Sequence, residues 1–242
     1  VPVPSKPLRD WVAAQQAPCY AIISAASDSA PVKAFTLNDG RTVTYPLYAG
    51  TPYAQWHPVM PYLVAISPRS GFLNWIEQTK ATDWGWLFSS SAPQQPLIDH
   101  FVTLAQATMP NGERVFFRYW DGDYFNLIQN WLDEPTSSLI PPMHSCWVNG
   151  FEHNYTATEI PVRDFASWAI PQPLLDSLLK SDPRPMIQNL MQYIQENHGD
   201  LWTSFPYDTL NYKIAQFVAD YSGEKDHLIS ALCDYLIEEK SF

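Results

Sequence analysis

The chain has 242 residues, 46% of them hydrophobic and only 16% charged, so it can bury a substantial core and is not a disordered polymer. Its formal net charge of −11 is uneven: up to Asp121 eight basic residues balance eight acidic ones, whereas from Gly122 onward six face seventeen. That balance argues against nucleic acid as a partner, because a phosphate-binding surface is basic, and an acidic lobe instead favours a basic protein surface.

Taken in chain order, "SKPLRDWVAAQQ" has Leu8, Trp11 and Val12 at helical spacing, and "CYAIIS" (19–24) reads as a short buried strand. Residues 25–50 read as loop, with "NDGR" (38–41) turning between short extended pieces. From Pro61 a rhythm begins: strand at 62–67, helix at 71–81, strand at 84–91, helix at 96–109, strand at 114–120, helix at 123–132. Such alternation predicts an α/β fold with a mixed, partly parallel sheet flanked by helices. Residues 145–160 read as extended, with Thr156 and Thr158 suiting an edge hairpin. After "AIPQPLL" four apolar stripes, starting at Leu174, Met186, Ile214 and Leu228, predict a helical C-terminal lobe. The expected domains are therefore an α/β domain over 1–165 and a helical lobe over 166–242.

No apolar run approaches the roughly 20 residues of a membrane span, and the start lacks the pattern of a secretory signal, so the expected location is the cytoplasm, with no membrane partner. Three widely spaced cysteines, Cys19, Cys146 and Cys233, fit a reducing compartment. Nucleotide-binding glycine motifs are absent from the sequence.

Signals of chemistry are sparse. Ser89, Ser90 and Ser91 close a strand before a helix, yet the G-x-S-x-G elbow of a hydrolase nucleophile is missing. His100 reads as a hydrogen-bonded histidine at a core margin. His144, Cys146 and His153 lack the paired spacing and fourth ligand of a zinc site. No catalytic residue, metal site or cofactor is expected. The stretch "RVFFRYWDGDYF" (114–125) sets charge among aromatic rings. Read as a strand, it buries Arg118, whose guanidinium then needs a partner: Asp121, Asp99 on the preceding helix or a strand-end carbonyl; Arg118 with Asp121 is the expected structural core pair. Ten tryptophans supply interface anchors as readily as core. Trp56, Trp147, Phe151, Trp168 and Trp202 lie in loop-like or edge segments and are the candidate partner contacts.

Pro61 with Leu63 and Val64, Trp84-Gly85, Ser89 to Ser91, His100, Pro110 with Gly112, and Phe117, Arg118, Trp120 and Asp121 occur in an order that resembles the type VI secretion adaptor or effector-chaperone family, Tap or TEC. The likeness covers about residues 19 to 135. Gly122, Asn111 and Val102 depart from its pattern. The resemblance implies a non-enzymatic cytoplasmic protein that binds a toxic effector and helps load it onto the VgrG spike. The alternatives are an immunity protein that neutralises a toxin and a hydrolase using Ser90 and His100.

Overall fold

The computed structural model describes residues 3–4, 7–131, 143–155, 168–181, 183–223 and 227–240. The chain divides into two compact units, Val1–Gln172 and Pro173–Phe242.

In the first unit the order is β1 (Val3–Pro4), α1 (Leu8–Ala14), β2 (Cys19–Ile23), α2 (Pro31–Asp39), β3 (Thr44–Pro46), β4 (Tyr62–Ile66), α3 (Phe72–Gln78) and β5 (Gly85–Ser89). It continues with α4 (Gln94–Thr103), β6 (Gln106–Thr108), β7 (Arg114–Phe116), α5 (Gly122–Trp131), β8 (Ser145–Val148) and β9 (Phe151–Asn154). Among the described residues seven strands form one sheet in the order β1-β9-β8-β5-β2-β4-β3, while β6 and β7 make a separate hairpin.

Every strand pairing in the sheet is antiparallel, which corrects the partly parallel sheet expected from the sequence. The physical reason lies in β2. It pairs with β4 on one side and β5 on the other, Ala21 facing both Val64 and Leu87. Strands β4 and β5, joined through α3, do run in the same direction, but the wholly buried β2 lies between them. The strand–helix–strand rhythm gives relative direction; it does not reveal that an earlier strand fills the gap.

Strict alternation divides the sheet into two faces. Cys19, Ala21, Ile23, Val64, Ile66 and Leu87 pack with Leu8, Trp11, Phe35, Phe72 and Trp84 into one core beneath α1, α2 and α3. On the other face Trp86 stacks on Phe125 of α5 at 4.0 Å and meets Phe101 of α4 edge-on, and Phe88 packs on Phe101. Ring pairs of this kind add about 0.5–1.5 kcal/mol each beyond their buried area. Gln15, at the end of α1, accepts hydrogen bonds from Ser89 Oγ and Ser145 Oγ at 2.9 Å, so β5 and β8 share one polar tie to the first helix.

Three local expectations change. Residues 31–39 are helical, with Pro31 at the first turn and Pro31, Ala34 and Phe35 buried. The strand expected over 114–120 ends at Phe116 and belongs to the hairpin, and the helix expected to reach residue 109 ends at Thr103 so that β6 can pair with β7. The extended stretch through 145–160 forms the β8–β9 hairpin around Asn149 and Gly150, both at positive φ; Thr156 and Thr158 lie outside the described residues.

The second unit contains α6 (Gln172–Ser181, which starts at the boundary), α7 (Arg184–Asn197), α8 (Gly199–Ser204), α9 (Tyr207–Asp220) and α10 (Leu228–Lys240). Ile187, Leu190, Met191 and Ile194 recur at helical spacing and pack with Leu201, Leu210, Ile214, Leu232 and Leu236. Among the described residues no helix is long and apolar enough to cross a membrane.

Candidate functional site: an aromatic face beside a charged junction

Arg118 follows the end of β7 in irregular chain, and its guanidinium Nη2 donates to Asp121 Oδ2 at 2.6 Å. The two side chains differ sharply in exposure, 58% for Arg118 against 11% for Asp121. The expected buried guanidinium is thus corrected: the arginine is on the surface because the strand meant to bury it stops two residues earlier. Asp121 is the buried member. Its Oδ1 accepts the backbone N–H groups of Asp123 at 3.0 Å and Tyr124 at 3.3 Å, which caps the start of α5. Burial pushes the Asp121 carboxyl above the usual carboxylate range, against the downward pull of Arg118 and the Tyr124 amide.

The same junction fixes the β8–β9 turn. Asn149 Nδ2 donates to the Thr82 carbonyl at 3.0 Å and to Asp123 Oδ1 at 3.2 Å, while Thr82 Oγ1 donates to Asp123 Oδ2 at 2.9 Å. Gly122 sits where a Cβ would lie 2.4 Å from the Thr82 carbonyl oxygen and 2.6 Å from that of Gly85. This backbone approach accounts for glycine at position 122.

Next to the junction is a cluster of rings. Trp56 meets Phe116 edge-on at 4.4 Å and Tyr53 at 5.1 Å; Phe116 and Tyr53 in turn contact Tyr48, and Phe116 contacts Trp120. Tyr48 and Trp120 are fully buried, whereas Tyr53, Trp56 and Phe116 are half-buried. Partly exposed rings packed on buried neighbours have the build of interface anchors, since little side-chain entropy remains to be lost on docking. The adjacent Arg114 and Arg118 are exposed.

Of the five candidate contacts, only Trp56 enters this cluster. Trp147 is half-buried against the core under α1 and α3, and Phe151 is half-buried opposite Val148 on β9. Trp168 is 4% exposed and packs on Phe117 at 4.8 Å, so it belongs to the interior. Trp202 is half-buried in the second unit, 6.1 Å from Tyr207. Tyr53 and Phe116 do not stand out in the sequence. Alternation places Phe116 in a central strand, where it would be core.

The chemistry-bearing residues are arranged as follows. Ser90 is buried, and His100 is buried on α4 with its ring 5.6 Å from that of Phe101. Ser91 Oγ and His144 Nε2 share a hydrogen bond at 2.7 Å, joining the end of β5 to the start of β8. Cys146 faces the interior, where its Sγ lies 3.3 Å from Tyr155 OH, and burial pushes its thiol up to about 12. His144 and Cys146 thus take separate partners. Among the described residues no group of three or more His, Cys, Asp or Glu side chains is placed to hold a metal.

Residues 19–138, just under half of the chain, match the model of the family described as "Domain of unknown function (DUF4123)", a family known in type VI secretion adaptors. No curated protein and no solved structure matches the chain. The matched stretch runs from β2 through α5, and so contains the Arg118–Asp121 junction and all five rings of the aromatic cluster.

Proposed function

We propose that the protein is a cytoplasmic adaptor that binds a specific type VI secretion effector and helps load it onto the VgrG spike, without turning over a substrate. The match of residues 19–138 to a family known in such adaptors carries this reading. The half-buried rings of Tyr53, Trp56 and Phe116 support it, as they present a preformed apolar face suited to a protein client. The junction of Arg118, Asp121 and Gly122 is then structural, fixing the start of α5 beside the hairpin that carries Phe116.

Co-purification from cells that assemble the secretion machine, followed by identification of the bound chains, tests the proposal. The expected result is one effector together with the spike protein. Recovery of a toxin whose activity is blocked, with no spike protein, would instead identify an immunity protein. The exposed Ser91–His144 contact is the one observation that favours a hydrolase, since it joins a hydroxyl to a base. Turnover of an acyl ester by the purified chain, lost in both Ser91→Ala and His144→Ala, would establish that reading in place of the adaptor.

A further inference from the structure

The second unit has an open cavity of about 420 Å³ that lies outside the stretch matching the family model. It is lined by Gln216, Phe217, Asp220, Tyr221, Gly223 and Tyr235, among others. Phe217 is the middle ring, 5.1 Å from Tyr221 and 5.4 Å from Tyr235, with interplanar angles of 32° and 30°. All three are half-buried, and Asp220 is exposed. The Tyr221 ring lies against Gly223 so closely that a Cβ there would come within 2.5 Å of the phenol oxygen and 2.7 Å of the ring.

Three independent features make this cavity attractive to a cation. The aromatic faces carry negative quadrupole charge. The cavity lies at the C-terminal end of α9, where the last carbonyls bear partial negative charge, and the final turn of that helix contains no basic residue. Asp220 adds a formal charge, and from Pro173 onward the chain has eleven acidic residues against five basic ones. Among the described residues the nearby cation, Lys213, is paired with Glu239 and sits over the Phe205 ring.

We propose that this cavity binds an arginine side chain presented by a partner protein, with the guanidinium stacked on the Phe217–Tyr221–Tyr235 faces and paired with Asp220. Arginine is preferred to lysine because its planar, weakly hydrated head stacks on rings and bonds a carboxylate at the same time. The acidic unit supplies long-range attraction for the basic segment that would carry it. This pocket is distinct from the Tyr53–Trp56–Phe116 face and does not depend on the adaptor reading.

The test is a titration of the full chain with Nα-acetyl-arginine amide, followed through the ring resonances of its tyrosines and phenylalanines. Saturable shifts at Phe217, Tyr221 and Tyr235 are expected, with Nα-acetyl-citrulline amide, the uncharged analogue, bound at least about fivefold more weakly. Asp220→Asn, an exposed change that leaves the helix intact, should weaken arginine binding about two- to fivefold. Tyr235→Leu should do so by a similar factor. Absence of saturable shifts at these rings, equal binding of the citrulline analogue, or unchanged affinity in both variants would each overturn the proposal. Preferential binding of tetramethylammonium would overturn the arginine assignment in favour of a quaternary ammonium ligand.

Discussion

Arg118 and Asp121 are joined by a 2.6 Å charged hydrogen bond, yet one side chain is mostly in water and the other mostly out of it. That asymmetry ranks their substitutions. Arg118→Ala breaks a solvent-screened pair and should cost no more than about 1 kcal/mol. Asp121→Ala also removes the cap of α5, worth about 0.5–2 kcal/mol by itself, and should be the more damaging. Urea denaturation of both variants checks the order, and equal losses would show that Asp121 does no capping.

Gly122 and Gly85 allow two backbone segments to meet. A Cβ at Gly85, whose φ is +140°, would lie 2.0 Å from the Ile22 carbonyl oxygen, and one at Gly122 would collide with Thr82 and Gly85. Alanine at either position should cost at least about 1–3 kcal/mol through forced backbone shifts. Thermal unfolding is the measurement; a wild-type midpoint for Gly122→Ala would contradict the close approach.

Trp56 and Trp168 should separate binding from folding. On the proposed adaptor reading, Trp56→Ala truncates the half-buried face and is expected to weaken effector binding by about 2 kcal/mol or more, roughly thirtyfold, while the loss of its two ring pairs costs about 1–3 kcal/mol of stability. Trp168→Ala empties an interior position and is expected to destabilise by about 3–5 kcal/mol. Isothermal titration with the co-purified effector, alongside denaturation, distinguishes the two effects. Intact binding by Trp56→Ala would remove this face from the docking surface.

His153 makes stability depend on pH. Burial lowers its pKa below the ordinary value of about 6.5. Between those two values the unfolded chain binds more protons than the native one, so stability falls as pH drops from about 6.5 and levels off below the native pKa. His153→Gln should reduce that slope. A stability–pH curve with the same slope in the variant would place the titration elsewhere.

The thiols should react in a set order. Burial pushes Cys19 up to about 11 and Cys146 up to about 12, and thiolate is the reactive form. Cys233 is half-buried, and its pKa is raised by burial and by Asp234 and Asp200. Under native conditions iodoacetamide should modify Cys233 first and Cys146 only on unfolding. Peptide mass spectrometry reads the order directly, and early labelling of Cys146 would contradict its burial.

Individual strands and helices were largely legible because each depends on near neighbours. Cys19 to Ile23 is an unbroken apolar run, and Leu190, Ile194 and their neighbours repeat at helical spacing. The helix α2 was not legible, because its apolar stripe is short and "NDGR" reads as a turn. Asp39 explains the ambiguity. It ends α2 while its carboxylate accepts the backbone N–H groups of Gly71 and Phe72 at 3.0 Å, at the start of α3, and the Ser70 hydroxyl. A residue that serves a helix thirty positions away cannot be interpreted from its own neighbours.

By itself, then, the amino-acid order established a large apolar core, an acidic second half and most elements, and offered Asp121 as one of several partners for Arg118. Tertiary structure alone decided that β2 lies between β4 and β5, that Arg118 remains at the surface, and that Tyr53, Trp56 and Phe116 converge. The physical reason is range. Periodicity and propensity act over a few residues, whereas strand order, burial and ring clustering depend on which distant segments compete for the same place beside the core.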